Sequence, residues 1–224
     1  MKHTFATLVF LITSISFSQN PISKTIGEFS ILKAYDLINI EMIKSNENKV
    51  EITGKNASDV VVINKNGKLK IRMDLDEIFD GDDTFIKLYY TSVDIIDTNE
   101  GAYVYSEEAI DQYEINLRAQ EGGKIKLKLK VKVAELKAVT GGILELYGKT
   151  NNQDINIATG GIFKGKDLTS VTTKIVIKAG GEAEINASEL ADIKIRAGGD
   201  VFIYGDPNTV NEDRALGGRI KRMY

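Results

Sequence analysis

The stretch Ile193-Lys194-Ile195-Arg196-Ala197-Gly198-Gly199-Asp200-Val201-Phe202-Ile203-Tyr204 decides the fold. Apolar and polar residues alternate on both sides of a Gly-Gly pair, the pattern of two strands with one buried face each, joined by a corner. The pattern recurs at Gly122-Gly123, Gly141-Gly142, Gly160-Gly161, Gly180-Gly181, Gly198-Gly199 and Gly217-Gly218, with successive spacings of 19, 19, 20, 18 and 19 residues. Five residues before the first glycine stand Leu117, Leu136, Ile155, Ile175 and Ile193, and three before it Ala119, Ala138, Ile157, Ile177 and Ile195. Three residues after it stand Ile125, Leu144, Phe163, Ala183, Val201 and Ile220. The next inward column is Leu127, Leu146, Gly165, Ile185 and Ile203, broken only at Gly165.

A coil of about 19 residues cannot bury its own inward side chains, so identical columns must stack on the next coil, about 4.8 Å away, through parallel backbone hydrogen bonds. The expected fold is therefore all-β, a right-handed parallel β-helix, the hand following from the chirality of parallel crossovers. Glycine suits the corner because it adopts positive φ and lets corners stack closely. No helical periodicity follows any pair, which argues against a phosphate-cradling loop.

Ahead of the repeats, Ile38 to Met42, Val50 to Ile52, Val60 to Ile63 and Leu69 to Met73 read as strands, with Asn66-Gly67 as a hairpin turn. This segment, residues 19–90, is expected to cap the solenoid, and residues 91–224 to form the coils, beginning with one around Gly101 between Ile96 and Val104. Residues 1–18 read as a secretory signal peptide: Lys2, an apolar run from Phe5 to Phe17, and Ser16-Phe17-Ser18 before a cleavage site after Ser18. That run is shorter than the ~20 residues needed to span a bilayer. Export to the periplasm, cell surface or medium follows as the expectation, with no transmembrane span. The chain has no cysteine, hence neither disulfides nor a lipoprotein cysteine, and a formal charge of −3 gives no basic field for nucleic acid.

Several segments resemble the putative auto-transporter adhesin head GIN domain family, exported proteins of Bacteroidota. They are Gly27-Glu28-Phe29, Val50-Glu51-Ile52-Thr53-Gly54, Asn66-Gly67-Lys68-Leu69-Lys70-Ile71, the Gly-Gly coils, Tyr204-Gly205-Asp206-Pro207 and Leu216-Gly217-Gly218. The resemblance runs from about Ile26 to Met223. It implies a β-helix similar to pectin-lyase-like proteins, no established catalytic set and a role in adhesion. The chain departs from the family in carrying Gly-Gly where Ser-Gly or Gly-Ala is frequent, and in lacking the Gly-Ile-Asn tripeptide.

The single histidine, His3, lies in the expected leader, so the remainder has no imidazole or thiol for acid/base, nucleophilic or zinc chemistry. Carboxylate, lysine, arginine and tyrosine chemistry remains open, and an enzyme of the β-helix polysaccharide lyase or hydrolase kind stands as an alternative. Glu182, Glu184 and Asp200 are outward acids near successive corners, read as solvated charges rather than a catalytic pair. No catalytic residue and no cofactor are therefore assigned. Six of the ten residues from Asp74 to Asp83 are acidic; Asp76, Asp80, Asp82 and Asp83 are candidates for calcium, although the spacing is not that of an EF-hand loop.

Lys124, Lys126, Lys128, Lys130 and Lys132 alternate with Ile125, Leu127, Leu129, Val131 and Val133, and the candidate binding residues are Lys124, Lys126 and Lys128 of this strip with the outward aromatics Tyr147, Phe202 and Tyr204. The lysines read either as a cationic strip for an acidic glycan or as a solubilising face neutralised by acids such as Glu145. The aromatics form a sugar-stacking strip only where the coils align them. The functional expectation is a non-enzymatic envelope or surface protein that binds a glycan or another protein along a solenoid face. A structural or envelope-stress component is a third reading.

Overall fold

The computed structural model describes residues 21–223; the expected leader lies outside them. Seven strands precede the coil around Gly101: β1 (Ile22–Thr25), β2 (Ile31–Ala34), β3 (Asn39–Lys44), β4 (Lys49–Gly54), β5 (Val60–Lys65), β6 (Lys68–Met73) and β7 (Thr84–Tyr90). The repeats supply β8 (Ile95–Thr98), β9 (Tyr103–Asp111), β10 (Glu114–Ala119), β11 (Lys124–Lys130), β12 (Val133–Val139), β13 (Ile143–Lys149) and β14 (Asn152–Ala158). They end with β15 (Ile162–Ile177), β16 (Glu182–Ala197), β17 (Asp200–Tyr204), β18 (Thr209–Leu216) and β19 (Arg219–Arg222).

These strands build an all-β solenoid with two parallel stacks. One runs β6, β2, β8, β10, β12, β14, the second half of β15, the second half of β16, then β18. The other runs β7, β3, β9, β11, β13, the first halves of β15 and β16, then β17 and β19. From β8–β9 to β18–β19 the coils follow sequence order and make about seven turns. The core is the space between the stacks. Leu117, Leu136, Ile155, Ile175 and Ile193 are in register with one another and each is at most 2% exposed. Burying such branched side chains stabilises the fold by roughly 1.5–3 kcal/mol each, before entropy is counted.

The two glycines of a corner do different things. Gly141 has φ +73 and open space where a Cβ would stand, so it supplies only the left-handed backbone. A Cβ on Gly142 would lie 2.0 Å from the carbonyl oxygen of Ala119 on the preceding coil, so this glycine permits rung-to-rung contact. Gly165, the break in its column, is also accounted for: a Cβ there would meet the fully buried Phe163 ring at 2.3 Å. Phe163 thus fills the volume its neighbour vacates. The register slips nearby, between Glu145 and Gly148 of β13, accommodating the 20-residue spacing from Gly160 to Gly180.

The residue 19–90 segment is more than a cap. β2–β3 and β6–β7 are parallel rungs of the stack, and β2–β3 sits between β6–β7 and β8–β9. Only β1, β4 and β5 run antiparallel and close that end. Its strands were evident from alternation, but their order in space follows no period.

At the opposite end, three of the inward columns turn polar, while Val210 and Ile220 continue two others. Glu212 and Arg214 pair in register with Ile193 and Ile195, and Arg222 with Ile203. Arg214 approaches Glu212 at 3.8 Å. Charges in inward positions deny a further coil an apolar surface, the device natural sheets use against edge-to-edge growth. Replacing all three by isoleucine is expected to give concentration-dependent association in light scattering. A variant that scatters like the parent across concentration would contradict this account of the end.

Candidate functional site: a crease along the corner column

The outer face of the β9–β11–β13 stack carries the lysines singled out above. Lys124 and Lys126 both reach the Glu145 carboxylate, at 3.0 and 3.1 Å. Burial opposes ionisation of Glu145, but hydrogen bonds from the two lysines together outweigh it and hold its carboxyl below the usual range. The pairing continues along the axis: Glu51, Lys87 and Glu41 are neighbours in register, as are Lys126, Glu145, Lys164 and Glu184. Opposite charges on adjacent rungs are favourable cross-strand pairs. Lys128 stands in register with Tyr147. Phe202 lies between Glu184 and Lys221, and the Tyr204 hydroxyl donates to Glu184 at 3.4 Å. Three rung steps, about 14 Å, separate Tyr147 from Phe202 and Tyr204, so these aromatics form no continuous strip.

Sequence reading missed the aromatics that do meet. The rings of Tyr103 and Tyr105 stack with centroids 5.1 Å apart, and the Lys124 ammonium lies 5.3 Å from the Tyr103 ring. Their i, i+2 spacing on an outward strand face was the available signal. Within the acidic segment three carboxylates take local hydrogen bonds. Asp74 accepts the Leu75 amide, Asp80 accepts Asn56 Nδ2, and Asp82 accepts the Asp83 amide. Among the described residues no three acidic, histidine or cysteine side chains converge as metal ligands.

At the last corner, Arg219 grips Asp200 with two hydrogen bonds of 2.8 and 2.5 Å, which hold the Asp200 carboxyl below its ordinary value. Depressed carboxylates stabilise the folded state above their unfolded pKa, near 4, and that contribution disappears as pH falls through the folded value. Asp200→Asn is therefore expected to melt below the parent at pH 7 and together with it at pH 2. A difference that persists undiminished in acid would contradict this.

A second feature lies at the corners opposite the Gly-Gly column. Here a crease of about 540 Å³ runs parallel to the solenoid axis across six successive corners. Five steps of about 4.8 Å make it about 24 Å long. At each corner one residue points inward and its neighbours stand outward on either side. Val131, Thr150, Ser170 and Ala187, at most 5% exposed, form the floor. Lys130, Lys149, Thr169 and Asn186 line one wall; Lys132, Asn151, Val171 and Ser188 line the other.

The floor is fixed by hydrogen bonds. The Ser170 hydroxyl donates to the Asn186 carbonyl at 3.0 Å and meets the buried Thr173 hydroxyl at 2.8 Å, while Gln153 donates to both hydroxyls from behind. The corner backbone is used between rungs: the amides of Val131, Thr150, Asn151 and Val171 donate to Lys149, Thr169, Lys132 and Asn151 carbonyls. A ligand in the crease is thus recognised by side chains, because no strand edge is free there for a peptide to extend. The crease carboxylates, Asp111 and Asp206, come from its first and last corners, about 24 Å apart. Glycosidase pairs stand roughly 5–10 Å apart, so these two cannot flank one bond.

A parallel β-solenoid with a polar longitudinal crease has the form of a rigid binding rod. The chain belongs to the family described as putative auto-transporter adhesin, head GIN domain, whose model matches residues 28–207. A putative adhesin of Bacteroides fragilis has a similar structure, with a TM-score of 0.82 at 17% identity over 92% of this chain and 98% of that one. A putative adhesin of Parabacteroides merdae gives a TM-score of 0.66 at 15% identity, again over 92% and 98% of the two chains. A Parabacteroides distasonis protein described as a putative lipid binding protein gives 0.64 at 16% identity with the same coverage. At these identities the likeness is one of fold. No curated protein matches the chain. No helix among the described residues is long and apolar enough to cross a membrane.

Proposed function

We propose that this protein is a non-enzymatic, exported envelope or surface protein of the adhesin type, and that its working surface is the crease. The observation that carries this reading is a groove about 24 Å long, continuous over six corners, with a hydrogen-bonded floor and outward polar side chains on both walls. A rigid floor lowers the ordering cost of binding an extended ligand. Membership of the adhesin family supports binding over catalysis, as does the wide separation of the crease carboxylates. The test is binding of the purified chain from residue 19 to a panel of immobilised envelope glycans, alongside reducing-sugar release. Binding without release, abolished by Asn151→Trp in the crease wall, is the expected result. Release of reducing ends, or undiminished binding by the Trp variant, would sink the reading.

A further inference from the structure

We infer that the crease takes a linear polysaccharide bearing carboxylate groups, its acidic units seated at Lys132 and Lys149; this rests on the crease being the working surface. The groups there divide by what they still have to offer. Lys130 is neutralised by Asp111 at 2.5 Å. Lys132 and Lys149, from adjacent corners on opposite walls, have no ion-pair partner among the described residues, and the side-chain amide of Asn151 beside them has no hydrogen-bond partner there. Uncommitted donors therefore concentrate in one part of the crease, and an acceptor-rich, anionic ligand complements them.

The remaining features select a sugar chain over an acidic peptide. With the corner backbone already paired between rungs, a peptide gains no main-chain ladder. Val171, 43% exposed on the wall one rung beyond Asn151, offers an apolar face to the C–H side of a pyranose ring. Asp206 at the far end opposes an anion there, so the favourable carboxylate contacts fall at the lysine end.

Calorimetry with a galacturonate oligosaccharide, its methyl ester and a dextran of equal length tests this. The acid form is expected to bind in preference to both others and to weaken steeply with salt, since the Debye length falls from about 10 Å at 0.1 M to about 3 Å at 1 M. Lys132→Gln with Lys149→Gln should weaken it about ten-fold, the sum of two exposed charge contacts. The triple change of Lys124, Lys126 and Lys128 to Gln should leave affinity and melting nearly unchanged. Equal binding of acid and ester, with both lost in Val171→Trp or Asn151→Trp, would overturn the acidic ligand and leave the crease standing. Undiminished binding in both Trp variants would overturn the crease as well. Absence of any acid binding, or loss confined to the Lys124 triple variant, overturns the inference.

Discussion

Ile177→Asp unfolds the protein, whereas Val176→Asp, one residue away, melts close to the parent. Ile177 is fully buried and lies in register between Ile157 and Ile195. An aspartate there brings an unpaired charge between two isoleucines, with no polar partner on either neighbouring rung of the column, at a cost of several kcal/mol, against a total stability of about 5–15 kcal/mol for a domain. Val176 points outward, in register with Lys194, where a carboxylate meets an amine and water. Chemical denaturation of both variants reads the difference. Similar losses in the two would mean that the alternation does not set which side chains face the core.

Gly142→Ala costs far more than Gly141→Ala, although only Gly141 has a left-handed backbone. The added methyl at Gly142 meets the Ala119 carbonyl, oxygen at 2.0 Å and carbon at 2.3 Å. Backbone of a neighbouring rung cannot yield without breaking the ladder, so the loss is expected at about 3 kcal/mol or more, the upper range for overpacking. At Gly141 nothing lies within 4 Å and φ is +73, so alanine there pays only the left-handed penalty of about 1–2 kcal/mol. Asparagine at 141 should cost less still. The reverse order in urea melts would show that backbone conformation, not rung contact, fixes the corner.

These contrasts also mark how far the sequence could be read. The Gly-Gly corners and the columns through Leu117, Ala119, Ile125 and Leu127 were legible because every coil solves the same packing problem with the same residue types. The inserted β2–β3 rung was not, because strand pairing at that end joins segments about 40–60 residues apart without a repeat. The crease was invisible for a related reason. Its floor is built by Val131, Thr150, Ser170 and Ala187, residues of four types sharing only a position in the coil. The lysines of β11 drew attention through their alternation, but alternation reports which face is wet, not which charges are spent. In the structure Glu145 occupies two of them and Asp111 a third, Lys130. Likewise Glu212 and Arg214 look like an ordinary polar strand until register places them over Ile193 and Ile195.

The central claim, that the crease and not the lysine face of β11 is the working surface, is tested most directly by NMR titration with the galacturonate oligosaccharide. Saturable shifts of the Val171 methyls and the Asn151 side-chain amide, with Tyr103, Tyr105 and Tyr147 resonances unmoved, are the predicted result. Shifts centred on Tyr103, Tyr105 and Tyr147, with Asn151 and Val171 silent, would contradict it.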